Sequence, residues 1–284
     1  VNGAGAITFT ENVTIAAGDT ATTLINAVTN LSGLTFQSAG NVTFGNAAGA
    51  DQVNLQAANV NITTTGTGAL TFTSLVDGRF DLALTTAGTT TFAGNVGSAA
   101  SIGDGTGAAI TINSAGATNV NGTLQTFSGI ASVNGAGAIT FTENVTIAAG
   151  NTATTLINAV TNLSGLTFAS ANAVTFGNAA TDQVNLQAAN VNITTTGAGA
   201  AGALTFNSLV DGRFDLVLTT SGATQFDQNV GSGTSIGDGT GAAITINSTG
   251  TTDVDGTLET FSGIASANGA GAITFTENVT IAAG

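Results

Sequence analysis

The segment VNGAGAITFTENVTIAAG fills Val1–Gly18, returns unchanged at Val133–Gly150, and returns again at Ala267–Gly284 with only its first residue altered. The long period is therefore 132 residues and then 134. A chain that repeats itself on this scale is built by stacking like units, and its fold must let each copy seat on the last. The two periods differ for local reasons. GNAAGADQ at Gly45–Gln52 becomes GNAATDQ at Gly177–Gln183, one residue shorter, and TTTGTGALTF at Thr63–Phe72 becomes TTTGAGAAGALTF at Thr194–Phe206, three longer. Both changes fall in Gly/Ala-rich stretches, which places them in loops. The organisation expected is a first long repeat at 1–132, a second at 133–266 and the start of a third at 267–284, all in one continuous solenoid.

A shorter beat runs inside the long one. LTFQSAGNVTF at Leu34–Phe44, VNLQAANVNI at Val53–Ile62 and LTFTSLVDGRF at Leu70–Phe80 each hold two bursts of alternating apolar and polar residues around a short Gly, Asn, Ala or Ser link. Alternation of period two marks a strand with one face buried. Taking each such pair of bursts as one coil gives about 17–22 residues per coil and about 14 coils, within the range of solenoid repeats. The fold class that follows is all-β, a right-handed parallel β-helix (β-solenoid), the hand coming from the rule for parallel crossovers. Gly and Asn supply the positive φ angles of the corners. The chain has no Pro, which would remove a donor from the ladder.

Comparing the copies sorts inside from outside. Phe36, Phe44, Phe72, Phe80, Phe92 and Phe127 recur as Phe168, Phe176, Phe206, Phe214, Phe226 and Phe261, which reads as a retained core. Polar positions drift, as Gln37 to Ala169, Thr91 to Gln225 and Gly94 to Gln228. Asn119, Asn121 and Gln125 become Asp253, Asp255 and Glu259. A lone carboxylate in a dry core costs several kcal/mol, so these three side chains are predicted to face water.

Composition removes whole classes of function. There are two basic residues, Arg79 and Arg213, against 16 acids, for a net charge of -14. Such a chain has no basic face for nucleic acid or for an anionic membrane surface. Without Cys or His it lacks thiol nucleophiles, zinc–thiolate sites and the commonest general base. No apolar run is long enough to span a bilayer as a helix.

LTTAGTTTFAGNVG at Leu84–Gly97, GAAITINSAG at Gly107–Gly116 and the recurring GAITFTENVTI resemble the repeat tracts of giant secreted bacterial proteins, the filamentous-haemagglutinin-like and autotransporter-type adhesins. The likeness runs over essentially the whole chain. It implies a right-handed parallel β-helix exported to the cell surface, where such proteins serve as stalks, fibres or adhesins.

Two motifs invite chemistry. SIGDGTGAAI, at Ser101–Ile110 and Ser235–Ile244, sets one acid in a Gly-rich turn, like the calcium-binding turns of β-rolls. Calcium takes six to eight oxygens, and Asp104 or Asp238 alone supplies too few, so a plain turn closed by an Asx bond is expected. DGRFD, at Asp77–Asp81 and Asp211–Asp215, would put Asp, Arg and Asp on one face of an extended strand. The expectation is a local cluster in which the carboxylates neutralise Arg79 or Arg213. The acids of DVDGTLE at Asp253–Glu259 stand where the first copy has amides, so they read as a solvated face. The GAGAI and GNAAG runs lack the Lys and helix of a phosphate loop. Thr-x-Thr pairs such as Thr8–Thr10 would bind ice only if they aligned into ranks on successive coils. A polysaccharide lyase would need a cationic cleft that two acid-flanked arginines do not make.

The expected function is thus a structural extracellular fibre or filament, load-bearing through stacked β-ladders, with no catalytic residues, no cofactor and no metal. Its partner is itself, end to end along the axis and laterally, because neither terminus reads as the cap a solenoid end requires. The alternatives are the stalk of a cell-surface adhesin that presents a distal binding domain, and a Thr-rich ice-binding solenoid.

Overall fold

A computed structural model describes residues 5–16, 22–46, 51–133, 135–148, 154–179, 181–267 and 270–282. The chain forms two compact units, Val1–Thr140 and Phe141–Gly284. Each is an all-β parallel solenoid whose turn consists of three short strands, one on each of three walls.

In the first unit, one wall stacks Ile7–Phe9, Thr29–Ser32, Gln52–Gln56 and Leu75–Gly78. Single bridges carry it on through Val76, Val96 and Leu124. The second wall stacks Val13–Ile15, Thr35–Ser38, Val60–Thr64, Leu82–Thr86, Ile110–Ile112 and Ile130–Ser132. The third stacks Thr23–Ile25, Val42–Phe44, Leu70–Phe72, Thr90–Phe92 and Thr118–Val120. Every one of these pairings is parallel and in register, so like side chains fall into columns.

The columns explain the sequence pattern. On the third wall Ile25, Phe44, Phe72, Phe92 and Val120 line up inward, while Leu24, Thr43, Thr71, Thr91 and Asn119 line up outward. The inward phenylalanines stack. Phe44 and Phe72 have ring centroids 5.4 Å apart at an interplanar angle of 12°. The second unit builds the same stack through Phe176, Phe206 and Phe226. Small hydroxyl residues such as Thr29, Ser38, Thr90 and Thr118 fill the narrower parts of the core. Outward on the first wall, Asn54 donates Nδ2 to Oδ1 of Asn30 at 2.9 Å, and Asn30 donates to Oγ1 of Thr8 at 3.0 Å. At the corners, asparagines accept an amide from the following turn, as Asn41 does from Ala69 at 2.8 Å.

The turn is longer than the sequence rhythm predicts. Stacked partners are 19 residues apart for Thr23 and Val42, 22 for Ile7 and Thr29, and 28 for Val42 and Leu70. The two units together hold about 11 turns rather than 14. The reason is geometric. The two bursts of LTFQSAGNVTF are Thr35–Ser38 and Val42–Phe44, which occupy only two of the three walls. The three-residue insertion lies in a corner, as expected, where Gly199–Gly202 forms a short 3-10 turn between Val191–Thr195 and Leu204–Phe206. The other length change lies partly outside the described residues, at 47–50 and 180.

The long repeat does not close on a whole number of turns. From Ile7–Phe9 to Ile130–Ser132 there are 16 strands among the described residues, and the bridge at Val96 supplies one more position on the first wall. Seventeen positions at three per turn make five turns and two-thirds. The repeat therefore restarts on a different wall. Ile7–Phe9 sits against Thr29–Ser32 on the first wall, whereas Ala138, at the start of the next copy, accepts the Thr118 amide on the third wall at 2.9 Å. The second unit shows the same displacement internally. There Ile273–Phe275 stacks on Thr252–Val254, not on the wall that holds Thr161–Ser164, the counterpart of Thr29–Ser32.

Candidate functional site

Gly78 ends the strand Leu75–Gly78 with φ of 139°. A Cβ there would run into the carbonyl oxygen of Leu55 one turn away, so only glycine lets the chain bend so close to its neighbour. The bend splits DGRFD. Asp77 stays on the first wall, Arg79 and Phe80 form the corner, and Asp81 precedes Leu82–Thr86 on the second wall. The three charged residues do not share one strand face as the sequence predicts.

The carboxylates are committed to the turns around them. Asp77 is buried, and its Oδ1 accepts the amides of Ala99 and Ala100 at 3.1 Å each. Asp211 accepts those of Gly233 and Thr234 at 2.9 and 3.1 Å. Oδ2 of Asp211 also takes Nε2 of Gln183, while Gln52 in the first unit turns to Asn54 instead. Asp81 accepts Nδ2 of Asn59 at 3.0 Å and the amide of Asp104 at 3.2 Å. Asn190, Asp215 and Asp238 repeat this corner ladder. Burial holds the Asp81 and Asp215 carboxyls above the ordinary aspartate range, against the lowering effect of these hydrogen bonds.

Asp104 closes the expected Asx turn. Its Oδ1 accepts the Thr106 amide at 2.7 Å and hydroxyl at 2.6 Å, and Asp238 does the same with Thr240. The hydroxyl bond is the main reason both acids titrate below the usual range. Among the described residues no group of three or more His, Cys, Asp or Glu is placed to hold a metal.

With their neighbouring acids so engaged, Arg79 and Arg213 are exposed, and among the described residues neither has a carboxylate within 4.0 Å. This replaces the expected self-neutralised cluster. Phe127 and Phe261 provide a second correction, since each is 42% exposed and not part of the core. Phe80 and Phe214 are half-buried.

These residues meet because they occupy one corner on three successive turns. Gly103 donates its amide to Phe80 O at 3.2 Å, and Phe127 donates to Ile102 O at 2.7 Å. The result is an open hollow of about 590 Å³ lined by Arg79, Phe80, Ser101, Gly103, Asp104 and Phe127. The second unit has its counterpart, about 480 Å³, lined by Arg213, Phe214, Ser235, Gly237, Asp238 and Phe261. In the first unit Phe80 and Asp104 also border a smaller hollow of about 450 Å³ with Ala57, Ala58 and Asn59. Ala57 has φ of 65°, and its counterpart Ala188 has 63°. A left-handed alanine costs about 1–2 kcal/mol, so the fold carries strain at this position in both copies.

The remaining candidates behave as surface. Asp253 on Thr252–Val254, Asp255 just after that strand and Glu259 on Leu258–Thr260, a different wall, all point outward as predicted, and Asp255 accepts Nε2 of Gln225 at 2.8 Å. Among the described residues the threonines do not form paired ranks over successive turns. Thr63 and Thr85 align outward, but their neighbours in the adjacent outward column are Asn61 and Ala83. In the second unit, on the wall that stacks Val174–Phe176, Leu204–Phe206, Thr224–Phe226 and Thr252–Val254, the outward rank reads Thr175, Thr205, Gln225 and Asp253. Among the described residues no helix is long and apolar enough to cross a membrane. No protein-family model, curated protein or solved structure matches the chain.

Proposed function

We propose that the chain is a load-bearing repeat segment of an extracellular structural fibre, secreted or held at a cell surface, and not an enzyme. The observation that supports this reading is the parallel stacking of strands on three walls within each unit, in register apart from a shift between Ala242 and Ile244, with phenylalanine stacks and amide ladders along the same axis. Tension along the axis is then shared by many short bonds in parallel on three walls. The net charge of -14, most of it carried by acids outside the core, opposes lateral collapse and keeps such a surface hydrated. The partner in this reading is a further copy of the same repeat, stacked along the axis.

The test is imaging and diffraction of the purified chain. Filaments with a meridional spacing near 4.8 Å are expected. Particles that remain discrete and never associate axially at any concentration would overturn the reading.

A further inference from the structure

The corner hollow concentrates what the rest of the chain lacks. Its only two cationic residues, Arg79 and Arg213, each line one hollow. So do two of its few exposed aromatic side chains, Phe127 and Phe261. Arg, Phe, Ser, Gly, Asp and Phe are identical in the two hollows. Nearby outward positions have changed, including Gln125 to Glu259 on the strand that leads into the second Phe. Gly239 adds a positional constraint, because a Cβ there would come within 3.1 Å of the Phe261 ring.

We infer that each hollow is a binding site for one ring of a neutral oligosaccharide. The exposed phenylalanine offers a flat apolar face for the C–H face of a pyranose. Around it stand a guanidinium fork that only donates, a carboxylate that only accepts, and a serine hydroxyl that does both. Vicinal sugar hydroxyls donate and accept together, so this mixture suits them. The Asx turn fixes the orientation of Asp104 before any ligand arrives. A hollow of 480–590 Å³ falls within the usual range for small-molecule sites. Phosphates and uronates fit less well, because each arginine shares its hollow with an exposed aspartate and the whole chain is strongly acidic. The site does not depend on filament formation, since each hollow is complete within one unit.

The test presents the whole chain to an array of neutral hexose and N-acetylhexosamine oligosaccharides beside uronate- and sialate-bearing ones. Binding to neutral members is expected. It should weaken at least tenfold in the F127A/F261A double variant and in R79Q/R213Q, and be retained in F127W/F261W, with far-ultraviolet circular dichroism unchanged throughout. A bound neutral oligosaccharide should also slow tryptic cleavage after Arg79 and Arg213. Absence of neutral binders, binding confined to acidic oligosaccharides, or affinity unchanged in both double variants would overturn the inference.

Discussion

Phe72 lies face to face with Phe92 one turn away, ring centroids 4.8 Å apart and planes within 6°. Both rings are fully buried, and Phe72 touches Phe44 on its other side. Replacing Phe72 with Ala removes the middle of this stack and leaves a cavity that the rigid ladder cannot close. A loss of about 3–5 kcal/mol is expected in chemical denaturation. Phe127→Ala, at an exposed site, should change stability by less than about 1 kcal/mol.

Gly78→Ala should be far worse than its size suggests. The backbone sits at φ of 139°, and the added methyl would collide with the Leu55 carbonyl oxygen and amide. Because the obstruction is backbone, no rotamer relieves it, and a loss beyond about 2 kcal/mol is expected. Gly78 also carries the corner that presents Arg79. The variant should therefore show both a lower denaturation midpoint and faster tryptic cleavage after Arg79.

The corner aspartates predict an acid-shifted stability optimum. Asp81 and Asp215 titrate above the ordinary value of 3.8 because burial penalises their charge. Their folded forms hold the proton more tightly than the unfolded chain does. Their contribution is thus present below 3.8 and is lost as pH rises through the raised value. Asp104 and Asp238 titrate below 3.8, so theirs is present above 3.8 and is lost as pH falls through the lowered value. In thermal midpoints followed by circular dichroism, Asp81 and Asp215 should contribute a decline as pH rises above 3.8, and Asp104 and Asp238 a smaller decline as it falls below. D81N/D215N should flatten the decline on the alkaline side only.

Trypsin has two sites in 284 residues, after Arg79 and Arg213. Each arginine is exposed, yet the adjacent backbone is tied to the next turn, as Gly78 is to Ala100 and Gly212 to Thr234 at 3.3 Å. The folded chain should resist an enzyme ratio that cuts the heat-unfolded chain into three fragments on a gel.

Much of this architecture is written in local alternation. Leu70–Phe72 and Val42–Phe44 read as strands from sequence alone, and the corner at Asp104 reads as an Asx turn. The number of walls does not follow from alternation, because a pair of bursts and a full turn look alike until strands are stacked. The hollow was hidden for the same reason. Arg79, Asp104 and Phe127 stand more than 20 residues apart, and only the true turn length brings them to one corner. One signal was available. In LQTF, Leu124 and Thr126 face inward, so strict parity puts Gln125 and Phe127 outside. Hydrophobicity suggested that Phe127 belonged to the core, and the strand's phase decided otherwise.

Three does not divide seventeen. In an array of such periods, a given side chain would regain its original compass bearing only after three of them. The ITF strand already rides on two different flanks in the two units, so no flank demands a strand of its own. What the ladder requires is parity, apolar side in and polar side out. A chain shingled this way can lengthen by single strands and stay in phase with itself.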